Sequence, residues 1–265
     1  MMNYQTIEVE EILDNQVAHI RLNRTDVHNA MNLQMITELL ECFSEIEKDE
    51  KFRGVILSGN GGSFCAGADI NWMKESGLQD YETSLADSHR LADLFKTIYR
   101  FRIPVIAVVH NNVYGGGLGL MAACDVVYAE MDSQFRFSEV RLGITPATIM
   151  PYILKKIPVS VTKAKVYTAE RFNAFEALRI GIVDEVKKKG EGIEAATVFM
   201  SEVVKGSPVG VNMSKELIND LSDGVLDDAM IDRTCEILVS AKQTEDAYEG
   251  MKAFFEKRTP NWKGR

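Results

Sequence analysis

Three consecutive glycines between two apolar runs constrain this chain more than any other stretch. They are residues 115–117 of "NNVYGGGLGLMAACD". The run before them, residues 103–109, is rich in β-branched residues and predicts a strand buried on both faces. The run after them, residues 118–123, has no polar face and predicts a helix buried all round. Strand, glycine turn and helix leave free backbone N–H groups at the helix N-terminus. Glycine there lets a ligand approach the main chain closely. Taken alone, the turn reads as readily as a tight connector between two core elements.

A second segment, "GVILSGNGGSFCAGADI" at residues 54–70, repeats the plan. Residues 55–57 predict a buried strand and residues 60–63 a polar turn. Residues 66–68 form a small-residue approach to a further helix. Two such loops can each offer one backbone donor to a single ligand oxygen, which is what an oxyanion hole requires.

The remaining pattern is α/β. Residues 4–11 and 16–22 predict two strands joined at Asp14 and Asn15. Asn32 suits the cap of a helix with Ile36, Leu39, Leu40 and Phe43 on one face. A later helix carries Leu91, Leu94, Phe95 and Ile98 and stops before Pro104. Residues 126–129 predict another strand. Asn173 and Glu176 approximate a capping box, with Gly181 ending that helix. Beyond residue 195 the pattern is all helical. Ser207 and Pro208 mark a helix start, Ile231, Cys235 and Leu238 share a face, and Phe254 and Phe255 lie in the last helix. The chain therefore divides into an α/β core, residues 1–195, and a helical region, residues 196–265.

Composition narrows the function classes. With 46% hydrophobic residues in 265, a sizeable core is expected. A net charge of −9 without a basic block argues against a nucleic-acid surface. Cys42, Cys65, Cys124 and Cys235 form no C-x-x-C pair, and no metal-ligand spacing stands out. Cys65 reads as a packed small hydrophobe. His19, His89 and His110 have no matching acidic partner and read as structural. The N-terminal "MMNYQTIEVEEILDN" carries acids rather than bases, and no apolar run reaches membrane-spanning length, so a cytoplasmic protein with no membrane partner is expected.

Six segments in collinear order carry a family resemblance: "LNRTDVHNAMN", "SFCAGADI", "GGGLGLMAACDVV", "FSEVRLGITP", "TAERFNAFEALRIGIVDEV" and "EGMKAFFEKR". Together they resemble the enoyl-CoA hydratase/isomerase (crotonase) family. Their motifs come nearest to its methylglutaconyl-CoA hydratase-like members. The resemblance implies a spiral of repeated ββα units and a C-terminal helical region that builds trimers or dimers of trimers. It implies an acyl-CoA thioester as substrate, with coenzyme A part of that substrate and no separate cofactor.

Residue roles follow from the resemblance. Ala66 and Gly116 are the expected oxyanion donors through their backbone N–H groups, and Glu139 the expected catalytic carboxylate. Ala66, Gly67, Ala68, Asp69, Ile70 and Gly116 are expected to line the thioester, with Asp69 capping the next helix. His28 and Ala30 are expected to border the pantetheine and adenine. Arg24 and Lys257 are candidates for the phosphates, Lys257 from a neighbouring subunit. Taken singly, each of these charges reads more readily as solvated surface.

Three departures stand out. Gly119 occupies the position where the family's hydratases usually carry a second glutamate. Asn111 replaces a usual glycine, and "PATIMPYI" a glycine-rich run. Hydration of the α,β double bond, of a branched or glutaconyl-type acyl group, is the leading expectation. The alternatives are a Δ3,Δ2-enoyl-CoA isomerase working through Glu139 alone and a non-catalytic acyl-CoA-binding relative.

Overall fold

The β-branched runs assemble into one six-stranded sheet in the computed structural model, which describes residues 4–262. β1 (Ile7–Ile12) and β2 (Val17–Leu22) pair antiparallel across a turn in which Leu13, Asp14 and Asn15 all have positive φ. α1 (Leu33–Lys48) is capped by Asn32, whose side chain accepts from Met35 N–H at 3.0 Å, and it buries Ile36, Leu39 and Phe43. Next come β3 (Gly54–Gly59), α2 (Ile70–Ser76), α3 (Tyr81–Tyr99) and β4 (Val105–Val109). The glycine stretch contributes β5 (Asn112–Tyr114) and α4 (Gly116–Ala123), followed by β6 (Val126–Glu130) and β7 (Gln134–Arg136). A short 3-10 turn at Glu139–Leu142 precedes α5 (Met150–Lys156), α6 (Val159–Thr168), β8 (Phe172–Asn173), α7 (Ala174–Ile180) and β9 (Glu185–Lys187).

The main sheet runs β1-β2-β3-β4-β6-β9, and from β2 onward every pair is parallel. Parallel strands need both faces covered. On one face lie α1, α3 and α4, around a core with Phe43, Phe64, Phe95 and Leu118. As its lack of a polar face predicts, α4 is buried at every residue from 117 to 123. On the other face, α8 (Gly192–Val203) packs Ala196 and Met200 against Ile56, Ile106 and Val108. The expected helical region thus begins with a helix that still covers the sheet.

A smaller sheet, β5-β7-β8, is extended by isolated bridges Met31–Ala68 and Cys65–Val113. These bridges lay the two predicted loops side by side beyond the C-terminal ends of β3 and β4. Open parallel sheets characteristically bind ligands at that edge.

Three helices complete the chain: α9 (Pro208–Asp223), α10 (Asp228–Lys242) and α11 (Glu245–Glu256). Ser207 caps α9, accepting from Gly210 N–H at 2.8 Å. Lys215 ties α9 to the core through Asp125 (2.7 Å) and the Ile103 carbonyl (3.0 Å). Two expectations are modified. Ile231, Cys235 and Leu238 share a face of α10, but within one chain that face is exposed. Asn173 accepts from Glu176 N–H (2.9 Å), yet the Glu176 carboxylate turns to Lys165 (2.6 Å), so only half of the capping box forms. No described helix is long and apolar enough to cross a membrane.

Candidate active site

The first loop is held by its neighbours on both sides. Cys65 N–H donates to the Asn112 carbonyl (3.1 Å) and Tyr114 N–H to the Cys65 carbonyl (3.0 Å). On the other side Met31 N–H donates to the Gly67 carbonyl (2.7 Å), and Asp69 N–H to the Met31 carbonyl (2.8 Å). Asn29 fixes the outer strand of this arrangement. It is fully buried at positive φ, and its side-chain amide donates to the carbonyls of Asn60 (2.9 Å) and Ser63 (2.8 Å).

This pairing corrects one expected donor. Ala66 N–H donates to the His28 carbonyl at 3.0 Å, so it is not available to a ligand. The Met31–Ala68 bridge uses Gly67 O and Asp69 N, which turns Ala68's own N–H away from Met31 and toward the second loop. Among the described residues that N–H has no acceptor. Gly67, at φ +105°, is where the chain changes its bonding side, and it packs against the Tyr114 carbonyl. The sequence signal separating the two alanines is therefore Gly67: the free donor follows the glycine rather than preceding it.

Gly116 stands at the first turn of α4, where its N–H has no intrahelical acceptor, and it finds none elsewhere among the described residues. The preceding Gly115 has φ +48° and ψ −119°, a conformation that a side chain would strain. A Cβ at Gly116 would collide with Met31 Cε, and one at Gly117 would meet the Cys65 carbonyl oxygen at 2.5 Å. The two loops thus touch through glycine backbone.

Glu139 arrives from β7. Tyr114 pairs with Arg136, and Gly115 N–H donates to the Arg136 carbonyl (3.1 Å). Three residues later the Glu139 carboxyl lies over the glycine turn, with Oε1 3.2 Å from the position of a Cβ on Gly115. Oε2 is buried without a hydrogen-bond partner. Burial raises the Glu139 pKa above its ordinary value, and nearby backbone N–H groups offset only part of this. A half-buried carboxyl beside two free N–H groups can exchange protons with a ligand held there.

The position of the usual second glutamate is closed. A Cβ on Gly119 would stand 2.8 Å from Phe95 Cζ and overlap Ile149 Cγ2. No side chain of any kind fits there without repacking.

The other expected residues divide. Asp69 caps α2, accepting from Asn71 N–H (2.8 Å) and Trp72 N–H (3.4 Å), and pairs with Arg24 (2.8 Å). Burial would raise its pKa, but these donors outweigh burial and hold the carboxyl below its usual range. The Arg24 guanidinium is committed to Asp69 and the Ala30 carbonyl, so the structure does not present it as a phosphate ligand. His28 is exposed, with Nδ1 3.3 Å from Ser63 Oγ, and Ala30 is buried. Ile70 is exposed at the start of α2. Lys257 is exposed at the end of α11, with no hydrogen bond or ion pair to either loop among the described residues. Cys65 is fully buried, its thiol pushed up to about 12, which suits packing and not nucleophilic attack. His19 pairs with Ser58 (2.8 Å) inside the sheet, its pKa lowered to about 4 by burial.

Comparison with known proteins decides the family. The enoyl-CoA hydratase/isomerase profile matches residues 13–265. The chain belongs to that family. It is 33% identical to the short-chain-enoyl-CoA hydratase of Clostridium acetobutylicum, over 92% of this chain and 93% of that one. It is also 33% identical to the mitochondrial Δ(3,5)-Δ(2,4)-dienoyl-CoA isomerase of Mus musculus, over 97% of this chain and 81% of that one. The crystal structure of an enoyl-CoA hydratase from Shewanella pealeana superposes with a TM-score of 0.94 at 34% identity, covering 98% and 96% of the two chains. The crotonase-type α/β spiral expected from the sequence is thus the fold observed.

Proposed function

We propose that this enzyme adds water across the α,β double bond of an acyl-CoA thioester. One observation carries the reading: two unpaired backbone N–H groups, of Ala68 and Gly116, lie on adjoining loops beside a partly buried carboxyl, Glu139. Ala68 and Gly116 donate to the thioester oxygen. Glu139 takes a proton from water as the water oxygen bonds to the β-carbon. The double-bond electrons move toward the thioester, and the resulting enolate oxygen is held by the two N–H groups. Glu139 then returns a proton to the α-carbon. Water's O–H breaks, one C–O and one C–H bond form, and the carboxylate is regenerated.

Isomerisation is the second reading, favoured by the closed space at Gly119. One carboxylate suffices to move a proton from the α- to the γ-carbon through the same enolate. A panel of 2-enoyl- and 3-enoyl-CoAs with products weighed by mass spectrometry separates the readings. Gain of one water marks hydration, and unchanged mass with a shifted double bond marks isomerisation. Binding without turnover would leave a non-catalytic acyl-CoA-binding protein.

A further inference from the structure

Hydration asks more of a site than one base. The attacking water must aim a lone pair at the β-carbon, which turns both of its hydrogens away from that carbon. Glu139 accepts one of them. The other swings freely unless a second group accepts it, and a nucleophile free to turn loses much of the advantage of being held. A carboxylate at residue 119 cannot be that second acceptor, because a Cβ there meets Phe95 and Ile149.

Ser138 brings a hydroxyl to the same turn. It opens the 3-10 turn of Glu139–Leu142 with φ −88° and ψ −14°, and its side chain does not cap that turn. The position of a Cβ on Gly115 lies 3.2 Å from Glu139 Oε1 and 3.4 Å from Ser138 Oγ. Two oxygens of consecutive residues therefore face one space over the glycine turn, directly before the Gly116 N–H. Burial seals Glu139 Oε2 from solvent, which leaves Oε1 as the oxygen that can meet a substrate. Ser138 is half-buried, and its oxygen is not sealed in as Oε2 is. Among the described residues Ser138 Oγ makes no hydrogen bond. Other serine hydroxyls near the loops are committed: Ser63 Oγ accepts from Asn112 (3.1 Å), and Ser133 Oγ donates to the Val109 carbonyl (3.1 Å).

We propose that Ser138 Oγ holds the attacking water together with Glu139, in place of the carboxylate that residue 119 has no room to carry. The water donates one O–H to Glu139 Oε1 and the other to Ser138 Oγ, which leaves a lone pair for the β-carbon. As the C–O bond forms, the first O–H breaks and its proton passes to Glu139. The second O–H stays intact and becomes the product hydroxyl, still donating to the serine. Ser138 neither gains nor loses a proton, as suits an alcohol, whose oxygen has two lone pairs for accepting. This inference rests on the hydration reading above. Isomerisation uses no water and gives Ser138 no part.

The test compares Ser138→Ala with the wild type in two reactions. Hydration of trans-2-hexenoyl-CoA and 3-methylglutaconyl-CoA needs the water, Glu139 and the two N–H donors. Exchange of the α-hydrogens of hexanoyl-CoA in D2O, followed by mass, needs Glu139 and the donors but no water at the β-carbon. Ser138→Ala should lower the kcat of hydration by about 3- to 10-fold, the worth of one neutral hydrogen bond, with KM unchanged and α-exchange at the wild-type rate. Hydration by Ser138→Ala at the wild-type rate overturns the inference and leaves the hydration reading standing. Equal losses in hydration and exchange, or a variant that does not fold, overturn it too, marking Ser138 as a support for Glu139. Wild-type hydration without α-exchange overturns it as well, since one carboxylate would then not serve both carbons. Exchange by the wild type with hydration of neither substrate overturns the hydration reading and the inference together.

Discussion

The Glu139 carboxyl lies over Gly115, with Oε1 3.2 Å from where a Cβ of residue 115 would stand. Glycine at 115 holds a positive φ of 48° that a side chain would strain, and it lets the carboxyl come close to the turn that presents Gly116 N–H. That placement also strips water from the carboxyl, leaving Oε2 unpaired and the pKa raised.

Glu139→Gln should lower kcat by about 10²–10⁴-fold with little change in KM, because glutamine keeps the shape but cannot accept a proton. The acid limb of the wild-type rate profile should lie above the ordinary carboxylate range. Stability has its own signature. A raised folded-state pKa means that the neutral carboxyl favours folding below the unfolded pKa and that this advantage is lost as pH rises through the folded value. The glutamine variant should therefore melt above the wild type at neutral pH, and the gap should close on acidification. Steady-state kinetics and thermal melts across pH check both points; a variant with wild-type kcat would remove Glu139 from the mechanism.

Gly119 gives a packing prediction. Its Cβ direction runs into Phe95 and Ile149, both buried. Gly119→Glu should therefore not supply a second catalytic acid. It should overpack the site and destabilise the fold by about 1–3 kcal/mol, with no gain in hydration rate. Gly119→Ala should already destabilise the fold, because the Cβ alone meets both Ile149 and Phe95. A single variant as stable as the wild type, and faster, would show the packing argument to be wrong.

Much of this architecture is legible in the sequence because the signals are local. The β-branched runs before each loop, the all-apolar α4 and the caps at Asn32, Asn173 and Ser207 follow from spacing and side-chain chemistry. What escapes is set by pairing between distant segments. Whether Ala66 or Ala68 keeps a free N–H depends on which strand each faces, and that is decided by the loop around His28 and Met31. The commitment of Arg24 to Asp69 likewise joins residues far apart in the chain.

The two alanines of the first loop can be told apart by removing their N–H groups. Ala66→Pro breaks the bond to the His28 carbonyl and should cost about 1 kcal/mol of stability or more. Ala68→Pro removes a donor that bonds nothing in the free protein. Its expected effect is a fall in turnover of about 10²–10³-fold, the range for one oxyanion donor, with a smaller change in melting temperature. Denaturant melts and enoyl-CoA turnover on both variants decide the matter. If Ala68→Pro retains full activity, the thioester oxygen is held elsewhere.

The C-terminal helices leave a broad apolar surface uncovered within one chain. In α11 Phe254 and Phe255 are 77% and 80% exposed. Leu226, Ile231 and Leu238 are also exposed large apolar residues of this region. Soluble chains rarely leave so much apolar surface on neighbouring helices without a cover. A second copy of the chain is the cover that fits the symmetric assembly implied by the family resemblance, so we expect a trimer or a dimer of trimers. Light scattering at micromolar concentration should give a mass several times that of one chain. Phe254→Asp with Phe255→Asp should lower that mass, since a carboxylate buried in an apolar interface carries a large desolvation cost. Lys257 lies just beyond these rings and points to a consequence for binding. If it reaches a neighbour's coenzyme A phosphates, the doubly substituted chain should bind acyl-CoA more weakly, although both loops are intact. A stable wild-type monomer with full activity would sink the assembly and the shared site together. A weakened assembly with undiminished acyl-CoA affinity would sink only the role of Lys257.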